Sequence, residues 1–211
     1  MALLIAATAL VIASHLVPSA PGLRERLIGA FGRTAFFAGH SLISLLTLGL
    51  LIWAYWAAGP QDWLYVPHPF ARTIALVVML VAVFLVTARL TTRAPPDGPV
   101  GIYRVSAVPG SLGVLLWALV HLLNLGEARA VLVFTGLAVM TLIALVKHLR
   151  LAAPAYRDVG WLPLAALVRK REGLVWREIG WWRLGLALLV YATLLHLHPI
   201  VIGRDPLAGL R

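Results

Sequence analysis

Six apolar stretches run along the chain, and polar or basic connections separate them. They cover residues 3–17, 35–58, 73–88, 110–125, 130–146 and 182–202. A helix needs roughly 20 apolar residues to cross a bilayer, because hydrocarbon offers no hydrogen-bond partner to the backbone. The pattern therefore predicts an all-α polytopic transmembrane helix bundle of about six spans, of which the first and the fourth are near the lower limit of length.

The composition excludes a soluble enzyme with a polar surface. Hydrophobic residues make up 61% of the chain and charged residues 12%, about half the usual share for a soluble domain. The absence of cysteine excludes disulfides and thiolate metal sites. Residues 1–211 show no repeat, low-complexity tract or linker, so we expect a single transmembrane domain. The first stretch lacks a basic leader and a good cleavage site, which favours a retained helix over a signal peptide.

The basic residues are distributed asymmetrically. Fourteen of the 18 Lys and Arg residues lie in or beside the connections that follow the first, third and fifth stretches. Cytoplasmic loops accumulate such residues, so both termini are predicted to lie outside a cell (inner) membrane. The net charge of +10 is thus explained by topology and by anionic lipid headgroups, and no nucleic-acid partner is expected.

The connection between the fifth and sixth stretches has an amphipathic character. Residues 161–168 are mostly apolar, and Arg169, Lys170 and Arg171 follow them directly. This pattern predicts a segment that lies on the inner membrane surface. A solvated connector with a positive tail is the alternative.

Histidines are the main source of chemistry within the spans. The spans contain no carboxylate and no lysine, which excludes carboxylate proton relays and paired-carboxylate hydrolysis. No Gly-rich phosphate loop and no serine-nucleophile motif is present. An ionisable residue inside a membrane span is by default a candidate functional residue. The chain has seven histidines: His15, His40, His68, His121, His148, His196 and His198.

His121 is the foremost candidate, because it lies well inside the fourth apolar stretch. An unpartnered imidazole there costs on the order of a few kcal/mol, so it must bind either a ligand such as heme iron or a neighbouring helix. Counted from Pro109 at 1.5 Å per residue, His121 lies roughly 18 Å from the inner face and is thus nearer the outer one. His196 lies towards the outer end of the sixth stretch, so depth favours it as the partner of His121. His15 lies about 10 Å away in depth by the same measure, an offset that a tilted heme could bridge but a compact metal site could not.

The other histidines have simpler interpretations. His68 lies between two prolines in a loop, and His148 follows a lysine at a helix end, where it matches the helix dipole. His40 could hydrogen-bond to a neighbouring helix. His196 and His198 are two residues apart on one helix, so at most one of them normally faces a given cofactor.

Two short motifs give the chain a family resemblance. Residues 14–18 (SHLVP) and 116–123 (LWALVHLL), together with the end of the chain around His198, resemble the NnrU family. The likeness covers nearly the whole chain, and residues 117–123 carry most of its specificity. NnrU proteins are polytopic membrane proteins associated with denitrification, specifically with nitrite and nitric oxide reduction.

The resemblance implies a cofactor. The NnrU family is related to the zeta-carotene isomerases, membrane proteins that hold heme b with histidines. In that pattern the counterparts of His15 and His121 are the axial ligands of the heme iron, which ranks His15 above His196 as the partner of His121. Ala118 stands where the isomerases have cysteine, so this chain cannot form their thiolate.

Three functions follow as hypotheses. The first is a heme b-binding inner-membrane protein associated with denitrification, which would need another membrane or respiratory protein as a partner for any signalling role. The second is a heme-dependent cis–trans isomerase of a polyene lipid. The third is a cofactor-free membrane accessory protein whose histidines only bridge helices.

Overall fold

The apolar stretches are helical in the computed structural model, which describes residues 1–95, 97–169, 173 and 175–208. Within these residues the secondary structure is helical, apart from a single β-bridge between Trp63 and Glu127. The helices are α1 (Ala2–Leu16), α2 (Leu23–Phe31), α3 (Arg33–Ala57), α4 (Ala71–Thr91), α5 (Ile102–Val105), α6 (Pro109–Asn124), α7 (Ala128–Leu151), α8 (Pro154–Val159), α9 (Ala165–Val168), α10 (Trp176–Ile179) and α11 (Trp181–Ile202).

Four of these helices are long and apolar enough to cross a membrane: α3, α4, α7 and α11. They have 21 to 25 residues, and much of their apolar surface is exposed; Leu45 on α3 and Leu189 on α11, for example, are 67% and 64% exposed. Such surfaces are compatible with contact with lipid. Helices α1 and α6 have only 15 and 16 residues. The all-helical membrane architecture is therefore supported, whereas the count of six spans and the outside location of the termini stay predictions.

The Cα positions divide the chain into two compact units. Unit 1 comprises Met1–Pro67 and Leu125–Met140, and unit 2 comprises His68–Asn124 and Thr141–Arg211. Helix α7 contributes its first part to unit 1 and its second part to unit 2. The expectation of a single domain is not tested by this division and stays a prediction.

In unit 1, α1 packs against α3, and α2 also contacts α3. Glycines at positive φ, Gly22 at 77° and Gly32 at 82°, border α2 on its two sides. Gly126 approaches the loop that follows α3 so closely that a Cβ atom there would overlap the carbonyl of Tyr65. Leu64 N–H donates to the Gly126 carbonyl at 2.8 Å, so this loop is tied to the start of α7.

In unit 2, α4 packs against both α6 and α11. Gly113 of α6 permits the close approach, because a Cβ atom there would lie 2.7 Å from the Ala82 carbonyl oxygen of α4. Small residues are the usual means by which membrane helices approach one another. The Tyr191 hydroxyl of α11 donates to the Leu76 carbonyl of α4 at 2.8 Å.

The end of unit 2 where α4 ends and where α6 and α11 begin is called the basic end below. A cluster that includes Leu85, Ile102, Tyr103 and Tyr156 is buried there. The Tyr156 hydroxyl donates to the carbonyls of Pro95 and Gly98, which holds the α4–α5 connection in place.

The predicted interfacial segment is mostly turns rather than helix. Residues 161–164 form bends and turns, and only Ala165–Val168 (α9) is helical. Trp161, Leu162 and Val168 expose large apolar surfaces, as an interfacial segment requires. Lys170 and Arg171 lie outside the described residues.

Candidate functional site

His15 lies in the last turn of α1, with one ring nitrogen bonded to the backbone of its own helix. Its Nδ1 is 2.9 Å from the Val11 carbonyl oxygen, one turn earlier, and 3.2 Å from Ser14 Oγ. A carbonyl oxygen can only accept, so Nδ1 carries the proton in the bond to Val11. In that tautomer Nε2 bears the lone pair, which is the arrangement of a metal-binding histidine.

His40 of α3 lies beside His15 within unit 1. The two ring centroids are 5.7 Å apart and the ring planes meet at 70°. Phe36 stacks on the other side, with a centroid distance of 6.1 Å and an interplanar angle of 3°. His40 Nδ1 is buried and makes no hydrogen bond to a described residue. His40 therefore meets the neighbouring helix through a ring contact, and that nitrogen does not bond to it.

A chain of hydroxyl groups joins the two helices next to this histidine pair. Ser14 Oγ lies 3.3 Å from Thr47 Oγ1, and Thr47 Oγ1 donates to the Ser44 carbonyl at 3.2 Å. The Ser44 hydroxyl donates to the His40 carbonyl at 2.8 Å. These contacts fix α1 against α3 at the level of His15 and His40.

The sequence contains a signal for the His15–His40 contact that depth counting missed. His15 lies near the end of the first apolar stretch, and His40 lies near the start of the second. A short connection between two successive spans returns the chain at the same depth, so residues at those two positions become neighbours. Depth counting related His15 to His121 and left His40 out of the comparison.

His121 of α6 repeats the backbone bond of His15. Its Nδ1 lies 2.7 Å from the Trp117 carbonyl oxygen, one turn earlier, and its ring centroid is 5.0 Å from that of Trp117. The same tautomer follows, with the lone pair on Nε2. The helical backbone satisfies one ring nitrogen and thereby lowers the cost of placing the imidazole among apolar residues.

A second histidine of unit 2 lies near the end of α11. The Nδ1 atom of His198 is 2.6 Å from the Arg204 carbonyl oxygen. His196, two residues away, leaves α11 in a different direction and is exposed. Depth counting pointed to this turn of α11, and His196 as a ligand stays a prediction.

The two preferred ligands, His15 and His121, belong to different units. His15 is in unit 1 and His121 is in unit 2. Within unit 1, His15 is in ring contact with His40. The pairing of His15 with His121 on one iron stays a prediction.

The remaining two histidines have the structural contacts expected of them. His68 Nδ1 accepts a hydrogen bond from Phe70 N–H at 3.3 Å within its loop. His148 lies in the last turn of α7, 3.3 Å from Ser111 Oγ. These contacts agree with a loop role for His68 and a helix-end role for His148.

A metal centre formed by protein ligands alone and a heme place different demands on the side chains around them. Among the described residues, no group of three or more His, Cys, Asp or Glu side chains could hold a metal ion. A protein zinc site needs three or four such ligands, whereas a heme iron needs one or two axial side chains. His15 and His121, each with Nδ1 held by a backbone carbonyl, are the candidates for such side chains.

The comparisons with known proteins give one finding. The family described as NnrU protein matches residues 3–206, which is nearly the whole chain. No curated protein and no solved structure matches the chain.

Proposed function

This chain belongs to the NnrU family, and we propose that it is a multi-pass inner-membrane protein that binds heme b through His121 and His15 and acts in denitrification. The family membership and the apolar helices support the membrane location. The resemblance of this family to heme-binding isomerases supports the cofactor. Nitrite and nitric oxide reduction are the reactions with which the family is associated.

One observation carries the proposal for the cofactor. In both candidate ligands, Nδ1 is tied to the carbonyl one turn earlier, at 2.7 Å for His121 and 2.9 Å for His15. This bond orients the ring, fixes the tautomer and raises the basicity of Nε2, as it does in metal-ligating histidines generally. His196 is the alternative to His15 as the second ligand.

The residues of this chain would hold the cofactor and control its surroundings. Heme supplies one-electron chemistry and a site for a diatomic gas such as nitric oxide. His121 and His15 would supply axial nitrogens, and the apolar helices around them would keep water away. A low-dielectric surrounding of this kind shifts a redox potential, so burial is part of the proposed function.

Absorption spectroscopy of the full chain tests the proposal. The protein is expressed with ample heme and purified in mild detergent, and we expect a Soret band and a heme b pyridine hemochrome. His121→Ala is expected to abolish the band, and His15→Ala is expected to shift it because one axial ligand is lost. His68→Ala is the matched control, since its loop lies outside the helices, and it should leave the spectrum unchanged.

Two outcomes contradict the heme proposal. A stable but colourless wild-type protein would exclude tight heme binding, and an unchanged spectrum in His121→Ala would remove this residue as a ligand. If His196→Ala shifts the band and His15→Ala does not, the second ligand is on α11.

A cofactor-free accessory protein is the second candidate, and the same bonds favour it. His15 and His121 each satisfy a ring nitrogen within their own helix, so a structural role needs no further partner at that atom. Under this hypothesis His121→Ala lowers stability without any spectral change. A colourless protein that is destabilised by this substitution would favour the second candidate over the first.

A further inference from the structure

An apolar groove opens between α4, α6 and α11 of unit 2. Its volume is about 380 Å³, within the usual range for small-molecule sites. Its walls are aliphatic side chains and Trp117, and the polar lining residues are Thr87 and Thr91. Such a lining can bind a hydrocarbon chain but offers little to a polar solute.

The length of the groove matches one leaflet of a bilayer. Along α4 its lining runs from Met79 to Thr91, which is about 18 Å at 1.5 Å per residue. Half of a hydrocarbon core about 30 Å thick is about 15 Å. An acyl chain of a single leaflet therefore fits the groove along its length, whereas a molecule that extends through both leaflets would not be enclosed.

Arg183 lies at the basic end of the groove. Its Nε donates to Thr91 Oγ1 at 3.0 Å, and its Nη2 donates to the Thr91 carbonyl at 2.8 Å. Its Nη1 donates to the carbonyls of Ile179 and Glu178, at 2.8 and 3.3 Å. These bonds join α11 to the end of α4, and Leu186, one turn further along α11, lines the groove.

The charge of Arg183 has no carboxylate to balance it among the described residues. A guanidinium has five N–H donors, and four of them point to the neutral oxygens above. Glu178 lies five residues before Arg183 in the sequence. Its carboxylate is paired with Arg104 at 2.9 Å and accepts a hydrogen bond from Gly101 N–H at 2.8 Å. The guanidinium also lies 4.5 Å from the centre of the Trp182 ring, a contact that does not neutralise its charge. One Nη2 hydrogen has no acceptor among the described residues, so an anion could bind there.

The surroundings of Arg183 reinforce a preference for anions. Arg89 and Arg93 lie at the same end of α4, and both are exposed. Helices α6 and α11 begin at this end, so their dipoles place partial positive charge there. Basic pockets between membrane helices on the cytoplasmic side are a common site for anionic lipid headgroups.

We propose that this groove binds an anionic diacyl phospholipid, with one acyl chain between α4, α6 and α11 and the phosphate at Arg183. The volume, the length and the unbalanced cation each point to a phospholipid of one leaflet. Neither His15 nor His121 lines this groove, although Trp117 lines it and also contacts His121. The readouts of the two proposals are separate, because lipid binding is measured without reference to absorption.

Native mass spectrometry of the full chain, released from nanodiscs that contain equal amounts of phosphatidylglycerol and phosphatidylcholine, tests the groove. We expect one retained phosphatidylglycerol per chain. Val190→Trp fills the groove and is expected to reduce the lipid-bound fraction about tenfold. Leu189→Trp is the matched control, because it adds the same ring on the exposed side of the same helix. Equal lipid retention in the two variants would overturn the proposal.

A second set of variants tests the headgroup. Arg183→Gln is expected to reduce the preference for phosphatidylglycerol about fivefold, the usual contribution of one basic residue at an anionic surface. Arg183→Lys keeps the charge and should restore the preference even if the packing of α4 is weakened. Arg177→Gln, an equal loss of charge at an exposed position of α10, should have no effect. An unchanged preference for phosphatidylglycerol in Arg183→Gln would refute the assignment of the headgroup to Arg183.

Discussion

The buried ion pair of Glu127 and Arg129 in unit 1 allows a direct test of how buried charges affect the free energy of unfolding. Glu127 is 3% exposed and Arg129 is 8% exposed, and Arg129 Nε lies 2.9 Å from Glu127 Oε1. The Nε–H does not form an aligned hydrogen bond, so at this atom charge rather than directed bonding holds the pair. Gln61 N–H also donates to Glu127 Oε1 at 2.7 Å, and the Arg129 guanidinium lies 4.5 Å from the centre of the Tyr55 ring.

Removing one member of this pair should cost much more than removing both. Arg129→Met keeps the apolar contact with Tyr55 but leaves a carboxylate buried without its cation, which costs about 3–5 kcal/mol. Glu127→Gln should cost less, because the amide oxygen can still accept from Gln61 and the cation keeps its bond to the Tyr55 carbonyl at 3.3 Å. The double variant contains neither buried charge and should lie within about 1 kcal/mol of the wild type.

The protein is unfolded in mixed detergent micelles by raising the SDS fraction, and tryptophan fluorescence monitors the unfolding. The four proteins form a double-mutant cycle, and a coupling of about 2 kcal/mol or more is expected. Arg72→Gln, at an exposed position, is the control for loss of a positive charge and should be neutral. If the double variant is as unstable as Arg129→Met, the cost does not arise from the unpaired charge and the reasoning is refuted.

Two further predictions concern unit 2. Gly113→Ala should destabilise the chain by about 1–3 kcal/mol, because its Cβ would meet the backbone of α4. Gly185→Ala is the control, since the space around Gly185 is open, and it should not destabilise the chain. Both variants are measured by the same unfolding assay. The hydrogen bond from Arg104 and the N–H of Gly101 hold the pKa of Glu178 below its ordinary value of 4.5. The ionised carboxylate therefore stabilises the fold fully above pH 4.5, and this stabilisation is lost as the pH falls through the lowered pKa. Glu178→Gln should be less stable than the wild type at neutral pH, and its stability should depend less on pH in the acid range.

The positions of the apolar helices were predictable because hydrocarbon imposes a strict rule on the backbone. The six stretches correspond to α1, α3, α4, α6, α7 and α11, and the two that were short in the sequence are the two short helices. The connections were less predictable. Helix α2 lies in a connection with three arginines, where charge indicated orientation but not structure, and the glycines that border it carry the only local signal.

The ion pair shows why side-chain contacts were harder to predict than helices. Residues two apart on a helix do not face each other, so the sequence pattern indicates no contact between Glu127 and Arg129. Helix α7 begins at Ala128, which places Glu127 before the helix and releases it from helical geometry. A shift of one residue in a predicted helix start decides whether this pair can form, and boundaries are the least certain part of a sequence prediction.

Histidine and arginine occupy different positions in the helices of this chain because their charges differ. The spans lack carboxylates and lysines, and an imidazole in its neutral form can lie in an apolar helix at much smaller cost than a permanent charge. His121 lowers that cost further by bonding Nδ1 to its own helix, and His15 makes the same bond in the last turn of α1. Arg183 cannot be neutral, and it lies near the start of α11, where backbone carbonyls accept its hydrogen bonds. In the two proposals made above, the cofactor would accordingly be held by histidines and the charged lipid headgroup by the arginine.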